Sequence, residues 1–124
     1  MNIGIDIDDT ITRNLDFFSF LTKMLVDAGH KVVIITIRED RVKTANFLKE
    51  LGISYTHLET SSLDAEAEYG NSWKGSICEK HNIEVFFEDK PEIIKRVNPK
   101  TLSFMAVDQQ LYDLDKIADP FNLM

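Results

Sequence analysis

Val32-Val33-Ile34-Ile35 is apolar at four consecutive positions, a run that a strand can bury only if both of its faces are covered. Sheets covered on both faces are parallel ones, whose strands are joined by helices. The rest of the sequence follows that pattern. Strands are predicted over residues 2–7, 31–36, 53–58, 83–87 and 102–107. The first helix is predicted over 15–28, with Phe17, Phe18, Leu21, Met24 and Leu25 on its apolar side. A second is predicted over 40–51, with Val42, Ala45, Phe47, Leu48 and Leu51 facing inward. Gly29 and Gly52 stop these two. Further helices are expected over 72–81, from Pro91 onward, where a missing N–H costs nothing in the first turn, and over 111–117. Residues 59–71, polar and acidic, form the longest predicted loop. The expected architecture is α/β: a three-layer, Rossmann-like sandwich with a parallel sheet of about five strands and helices on both faces, in a single domain over residues 1–124.

Charge narrows the partners. The formal net charge is −7, and Lys95-Arg96 is the only adjacent basic pair. Nucleic-acid backbones are bound by clustered Lys and Arg, so a small phosphorylated molecule is the better expectation than a polynucleotide. No run has the length of a transmembrane helix, and the N-terminus lacks the basic start and apolar core of a signal peptide. The single cysteine, Cys78, excludes an intramolecular disulfide. The chain reads as cytoplasmic, with no membrane partner.

In folds of this class ligands sit beyond the carboxyl ends of the strands. Four features fall at that edge: Asp6-Ile7-Asp8-Asp9-Thr10 after the first strand, Thr36-Ile37-Arg38 after the second, Lys74 near the start of the helix before the fourth, and Glu88-Asp89 after the fourth. Gathering Asp6, Asp8, Glu88 and Asp89 would crowd like charges and raise their pKa values, a penalty that a bound divalent cation removes. A site of carboxylate oxygens suits Mg²⁺, which also offsets the charge of a phosphate. Lys74 adds a positive charge, Thr36 a hydroxyl for a phosphoryl oxygen, and a carboxylate so placed can attack phosphorus. Each piece alone has a plainer reading. A lone Asp at a strand end caps a turn or helix, Thr36 ends a strand, Lys74 is a solvated lysine, and Glu88-Asp89 are acids at a helix N-terminus. Their joint order along the chain favours the site.

These residues resemble the haloacid dehalogenase (HAD) superfamily over about residues 3–92. Ile3-Gly4-Ile5-Asp6-Ile7-Asp8-Asp9-Thr10-Ile11 is similar to its first motif, Val33-Ile34-Ile35-Thr36 to the second, Lys74 to the third, and Val85-Phe86-Phe87-Glu88-Asp89 to the fourth. The resemblance implies a Mg²⁺-dependent phosphohydrolase that works on a small phosphomonoester, a nucleotide or sugar phosphate, through an aspartyl-phosphate. It implies Asp6 as nucleophile and metal ligand, and Asp8 as general acid/base whose backbone carbonyl touches the metal. Thr36 and Lys74 would hold the phosphoryl group, and Asp89 would complete the metal site, with Glu88 bound directly or through water. Thr36-Ile37-Arg38 and Glu88-Asp89-Lys90-Pro91-Glu92 are further similar to the 5′-nucleotidase branch, where an Arg two residues past the Thr is common, so the resemblance implies Arg38 as a contact to substrate phosphate; Thr10 and Ile37 are expected among the substrate contacts as well. For Arg38 the alternative is a surface pairing with Glu39 or Asp40.

The chain departs from that family in one respect. Only residues 11–14 separate Thr10 from the first helix, room for a single turn, and 59–71 is too short for a full second-type cap. The enzyme reads as capless, so a homo-oligomeric neighbour covers the site, the substrate is large, or turnover and selectivity are poor. Two other readings compete: a catalytically weak or idle HAD-like binding protein, and a receiver-like phospho-accepting domain, which needs an Asp where Tyr55-Thr56-His57-Leu58-Glu59 stands. Trp73 is expected to pack on the sheet in preference to stacking on a substrate, and Cys78 to face the core. His30, His57 and His81 lack metal-site spacing, although His57 stands near the predicted third strand end. Asp64, Glu66 and Glu68 read as a solvated loop.

Overall fold

The computed structural model of the chain describes residues 1–61 and 72–106. Within these residues, β1 (Asn2–Ile5), β2 (Lys31–Thr36), β3 (His57–Thr60), β4 (Val85–Phe87) and β5 (Leu102–Phe104) form one sheet in the order β3-β2-β1-β4-β5. All four pairings are parallel. The helices are α1 (Leu15–Asp27), α2 (Arg41–Glu50), α3 (Ser72–Lys80) and α4 (Pro91–Ile94). From β1 the chain steps to β2 and β3 on one side, then returns to place β4 and β5 on the other. The reversal leaves a crevice between the carboxyl ends of β1 and β4, where open α/β sheets bind ligands.

Two cores cover the two faces. Ile3, Ile5, Val32, Ile34 and Leu58 bury against Phe18 of α1 and Leu48 of α2. Val33, Ile35 and Phe86 point the other way, against Cys78 of α3, Ile93 of α4 and Val97. Val32 to Ile35 are thus buried on both faces, as their unbroken apolar run predicts. The expected three-layer α/β sandwich is the observed one.

Two strand starts differ from expectation for one shared reason. The predicted strands 53–58 and 83–87 begin at His57 and Val85 instead. Ile53 and Ile83 each follow a left-handed residue, Gly52 (φ +73°) and Asn82 (φ +51°), and close the preceding helix: Ile53 N–H donates to Leu48 O (3.0 Å) and Ile83 N–H to Cys78 O (2.9 Å). His30 does the same after Gly29 (φ +86°), donating to Leu25 O at 2.9 Å. These are Schellman closures, and at Ile53 and Ile83 they place an apolar residue just past the helix where a sequence pattern suggests a strand. β1 ends at Ile5 rather than residue 7, because Ile7–Ile11 coil into a kinked turn with Asp9 left-handed at φ 62°. Only Thr12, Arg13 and Asn14 then precede α1, matching the short connection expected. The last strand ends at Phe104. Val107, the predicted helix 111–117, and Asp64, Glu66 and Glu68 lie outside the described residues.

The buried side of α1 also differs from its predicted face. Phe18 and Thr22 are buried and Leu21 and Leu25 flank them, whereas Phe17 and Met24 face solvent, as does Val42 of α2. A polar residue takes the place of a hydrophobe because its bonds are made inside. The Thr22 hydroxyl donates to Phe18 O (2.6 Å) and accepts from Ser54 N–H (3.2 Å). No helix among the described residues is long and apolar enough to cross a membrane.

Gly75 fixes how closely α3 approaches the chain leaving α4. A Cβ there would meet the Arg96 carbonyl oxygen at 2.5 Å, a backbone atom that cannot swing aside. Gly75→Ala is expected to destabilise the protein by about 1–3 kcal/mol in denaturant unfolding. An unchanged midpoint would show that α3 is free to shift.

Candidate active site

Three elements deliver the central cluster. Asp6 follows β1, and its N–H donates to Phe87 O (3.0 Å), which carries the β1–β4 pairing one residue past the strand. Lys74 comes from the first turn of α3, and Glu88-Asp89 follow β4. The Lys74 ammonium donates to Asp6 Oδ1 at 2.6 Å and to Glu88 Oε1 at 2.8 Å. All three side chains are deeply buried, with residue exposures of 4% for Asp6, 2% for Lys74 and 1% for Glu88. Asp6 Oδ2 accepts from the Thr10 hydroxyl (3.1 Å), and Glu88 Oε2 accepts from the N–H groups of Asp89 (2.9 Å) and Lys90 (3.3 Å). The kinked turn after β1 serves this geometry by bringing Thr10 back over Asp6.

One lysine among so many buried acids leaves the cluster short of positive charge. Burial pushes the Asp6 carboxyl up to about 6 against the pull of Lys74. Burial, then the charge of Asp6, pushes Glu88 up to about 8. Burial draws the Lys74 ammonium down, but the charges of Asp6 and Glu88 outweigh it and hold Lys74 above the ordinary lysine value. Asp6, Glu88 and Asp89 each offer an oxygen within 4.8 Å of the others'. Asp89 Oδ1 is buried and, among the described residues, has no hydrogen-bond partner. An orphaned carboxylate oxygen beside two carboxylates that resist ionisation is an arrangement that could hold a divalent cation.

The carboxyl shifts carry a stability consequence. A raised native pKa contributes stability that is complete below the unfolded value, 3.8 for Asp6 and 4.5 for Glu88, and is lost as pH rises through about 6 and about 8. The melting temperature of the EDTA-treated protein is therefore expected to fall between pH 4.5 and pH 8. Glu88→Gln should flatten the upper part of that fall. A metal-free melting temperature that climbs over the same window in both proteins would contradict it.

The other predicted residues divide. Thr10 and Thr36 are both buried, Thr10 against Asp6, whereas the Thr36 hydroxyl accepts from the Arg38 N–H and does not line the cavity. Ile37 lines a cavity of about 160 Å³ together with Asp6, Asp8, Lys74, Glu88 and Asp89. Asp8, expected among the metal-binding acids, is not brought into the Asp6–Glu88–Asp89 group; its carboxylate turns to Arg38, at 2.8 and 3.1 Å. Hydrogen bonds from Arg38 hold the Asp8 carboxyl below its ordinary value. Arg38 is thus an ion-pair partner of Asp8 within the site, a contact that neither expectation for it, substrate phosphate or a surface pairing with Glu39 or Asp40, includes. His57 opens β3, at the end of the sheet away from the cluster, and its ring meets His81 at 5.4 Å. Trp73 packs against the second core, and Cys78 is buried, its thiol pushed up to about 12 by that burial. Asp9 and Lys90 also line the cavity. Sequence reasoning passes over both, although each adjoins a candidate residue.

No family model matches the chain, and no curated protein matches it. Among solved structures, one chain in the structure of a Pnkp1/Rnl/Hen1 complex superimposes with a TM-score of 0.66 at 18% sequence identity, over 85% of this chain and 45% of that one. The chain spans less than half the length of that neighbour, and what the two share is the α/β Rossmann-like fold.

Proposed function

We propose that the chain is a Mg²⁺-dependent phosphomonoesterase of the haloacid dehalogenase type, with Asp6 as its nucleophile. The observation that carries this reading is the junction of Asp6, Lys74, Glu88 and an Asp89 oxygen with no partner among the described residues, at the β1–β4 crevice. Asp6, Glu88 and Asp89 would hold the cation, which when bound supplies positive charge against the phosphoryl oxygens. The chain's own groups do the rest. Lys74 and the Thr36 hydroxyl orient the phosphoryl group, and Ile37 bounds the cavity beside it. An Asp6 oxygen attacks phosphorus and the P–O ester bond breaks, while Asp8, ionised at rest beside Arg38, relays a solvent proton to the leaving oxygen. Water then adds to the aspartyl-phosphate and gives its proton to Asp8, releasing inorganic phosphate and restoring the Asp6 carboxylate. The cavity of about 160 Å³ suits a phosphoryl group with a small leaving group, so a nucleotide or sugar phosphate in the cytoplasm is the substrate class proposed.

A receiver-like role is not favoured. Receiver domains order their strands 2-1-3-4-5, whereas this sheet runs β3-β2-β1-β4-β5, and β3 ends in Thr60 with Ser61 next, neither of which is an acceptor Asp.

The deciding assay is phosphate release from p-nitrophenyl phosphate with Mg²⁺ and with EDTA. Release that depends on the metal is expected, followed by a ranking of nucleoside monophosphates and sugar phosphates. No release under either condition would leave the idle binding protein as the better description.

A further inference from the structure

Asp8 and Arg38 lie 30 residues apart and meet through a two-pronged contact, Nη2 to Oδ1 at 2.8 Å and Nε to Oδ2 at 3.1 Å. The two ends of this contact differ in how firmly they are held. The Asp8 side chain rises from the kinked turn and is 55% exposed. Arg38 is anchored twice over. Its guanidinium carbon lies 4.4 Å from the centroid of the Phe47 ring on α2, and its backbone N–H donates to Thr36 Oγ1 at 3.2 Å. A planar fork seated on an aromatic face is preorganised, and it accepts a carboxylate in one orientation only.

We infer that Arg38 is a positioning residue for Asp8: stacked on Phe47 and tied to Thr36, it holds the Asp8 carboxylate in a single rotamer at the wall of the cavity that contains Asp6. An exposed carboxylate without that fork samples three staggered wells, of which few aim at one point in the cavity. Lysine in place of Arg38 supplies charge but no fork, so it does not restore the aim. The kinetic part of the inference rests on the phosphatase reading, while the rotamer part does not.

The test uses wild type, Arg38→Ala, Arg38→Lys, Asp8→Asn and the Arg38→Ala/Asp8→Asn double variant, with p-nitrophenyl phosphate and Mg²⁺. A misaimed proton-transfer group lowers turnover, so Arg38→Ala is expected to lose about 100-fold in kcat with KM nearly unchanged. Arg38→Lys should recover little of it. In the Asp8→Asn background, Arg38→Ala should cost nothing further, because the group it positions is already gone. A raised KM with kcat kept, or a full loss in the Asp8→Asn background, would show that Arg38 acts on substrate and overturn the inference. The second measurement needs no turnover: Asp8 α–β proton couplings in the metal-free protein by NMR. A single rotamer in wild type that averages in Arg38→Ala supports positioning even if no ester is hydrolysed, in which case the phosphatase reading falls alone. Averaged couplings in wild type overturn the positioning role whatever the kinetics.

Discussion

Asp6→Asn is expected to reduce phosphate release by at least about 10⁴-fold while leaving the fold in place, since removing a catalytic nucleophile costs losses of that order or larger. Asparagine matches aspartate in shape, and its carbonyl oxygen can still accept from the Thr10 hydroxyl or the Lys74 ammonium. What it lacks, on the proposed phosphatase reading, is the negative oxygen that would attack phosphorus and the charge that would help hold a cation. The structural cost is small for a specific reason. Burial already pushes the Asp6 carboxyl up to about 6, so the site charges it only against resistance, and a neutral amide removes that strain. Inactivity with a melting temperature at or above wild type, measured without metal, is therefore the expected pair of results. Retention of activity within about tenfold would mean that the chemistry uses another nucleophile, as a lost catalytic carboxylate cannot be that mild.

The largest stability effect is expected from Lys74→Met. Lys74 is the cation that both Asp6 and Glu88 touch, and it reaches them through a buried side chain. Breaking a buried ion pair by removing one partner costs about 3–5 kcal/mol, because the remaining charge is left without compensation. Here two carboxylates are left, and Asp89 Oδ1 has no hydrogen-bond partner among the described residues. A fall in Tm on the order of 15 °C follows for a domain of this length. The loss should be worst at pH 8, where Glu88 is most strongly driven to ionise, and should shrink on titration toward pH 5 as the carboxyls take up protons. Added Mg²⁺ should return part of the lost stability by taking the place of the missing positive charge. Denaturant unfolding at the two pH values, with and without Mg²⁺, reads all of this. A loss below about 1 kcal/mol under every condition would mean that water solvates the cluster and that the lysine does not hold it together.

The sheet and the central cluster are legible in the sequence because each rests on a local signal. Val32 to Ile35 announce burial on both faces, and Asp6, Thr36, Glu88 and Asp89 each stand at or just past the end of an apolar strand. The differences from expectation have separate causes. Ile53 and Ile83 look like strand residues in sequence but seal the ends of α2 and α3, so the pattern starts the following strands too early. Phe17, Met24 and Val42 fit a helical apolar stripe, but the contact side of α1 turns on Thr22, whose hydroxyl finds both its partners inside. Asp8 groups with the metal acids in sequence because it lies two residues from Asp6. Its partner in the fold comes from just past the end of β2, and a contact between positions so far apart leaves no mark in spacing or periodicity.

The place of β1 in the sheet has a consequence for how the protein breathes. β1 is hydrogen-bonded along both sides, to β2 and β4, while β3 and β5 each have one free margin among the described residues. Margins fray at low cost, but a central strand opens only when most of the sheet comes apart. The amides of Ile3 to Ile5 should accordingly be among the slowest in the chain to exchange with deuterated water, and Asp6 is attached directly to them. Opening at β3 or β5 can change which molecules reach the crevice, but the carboxylate they would meet stays fixed to the part of the chain that lets go last.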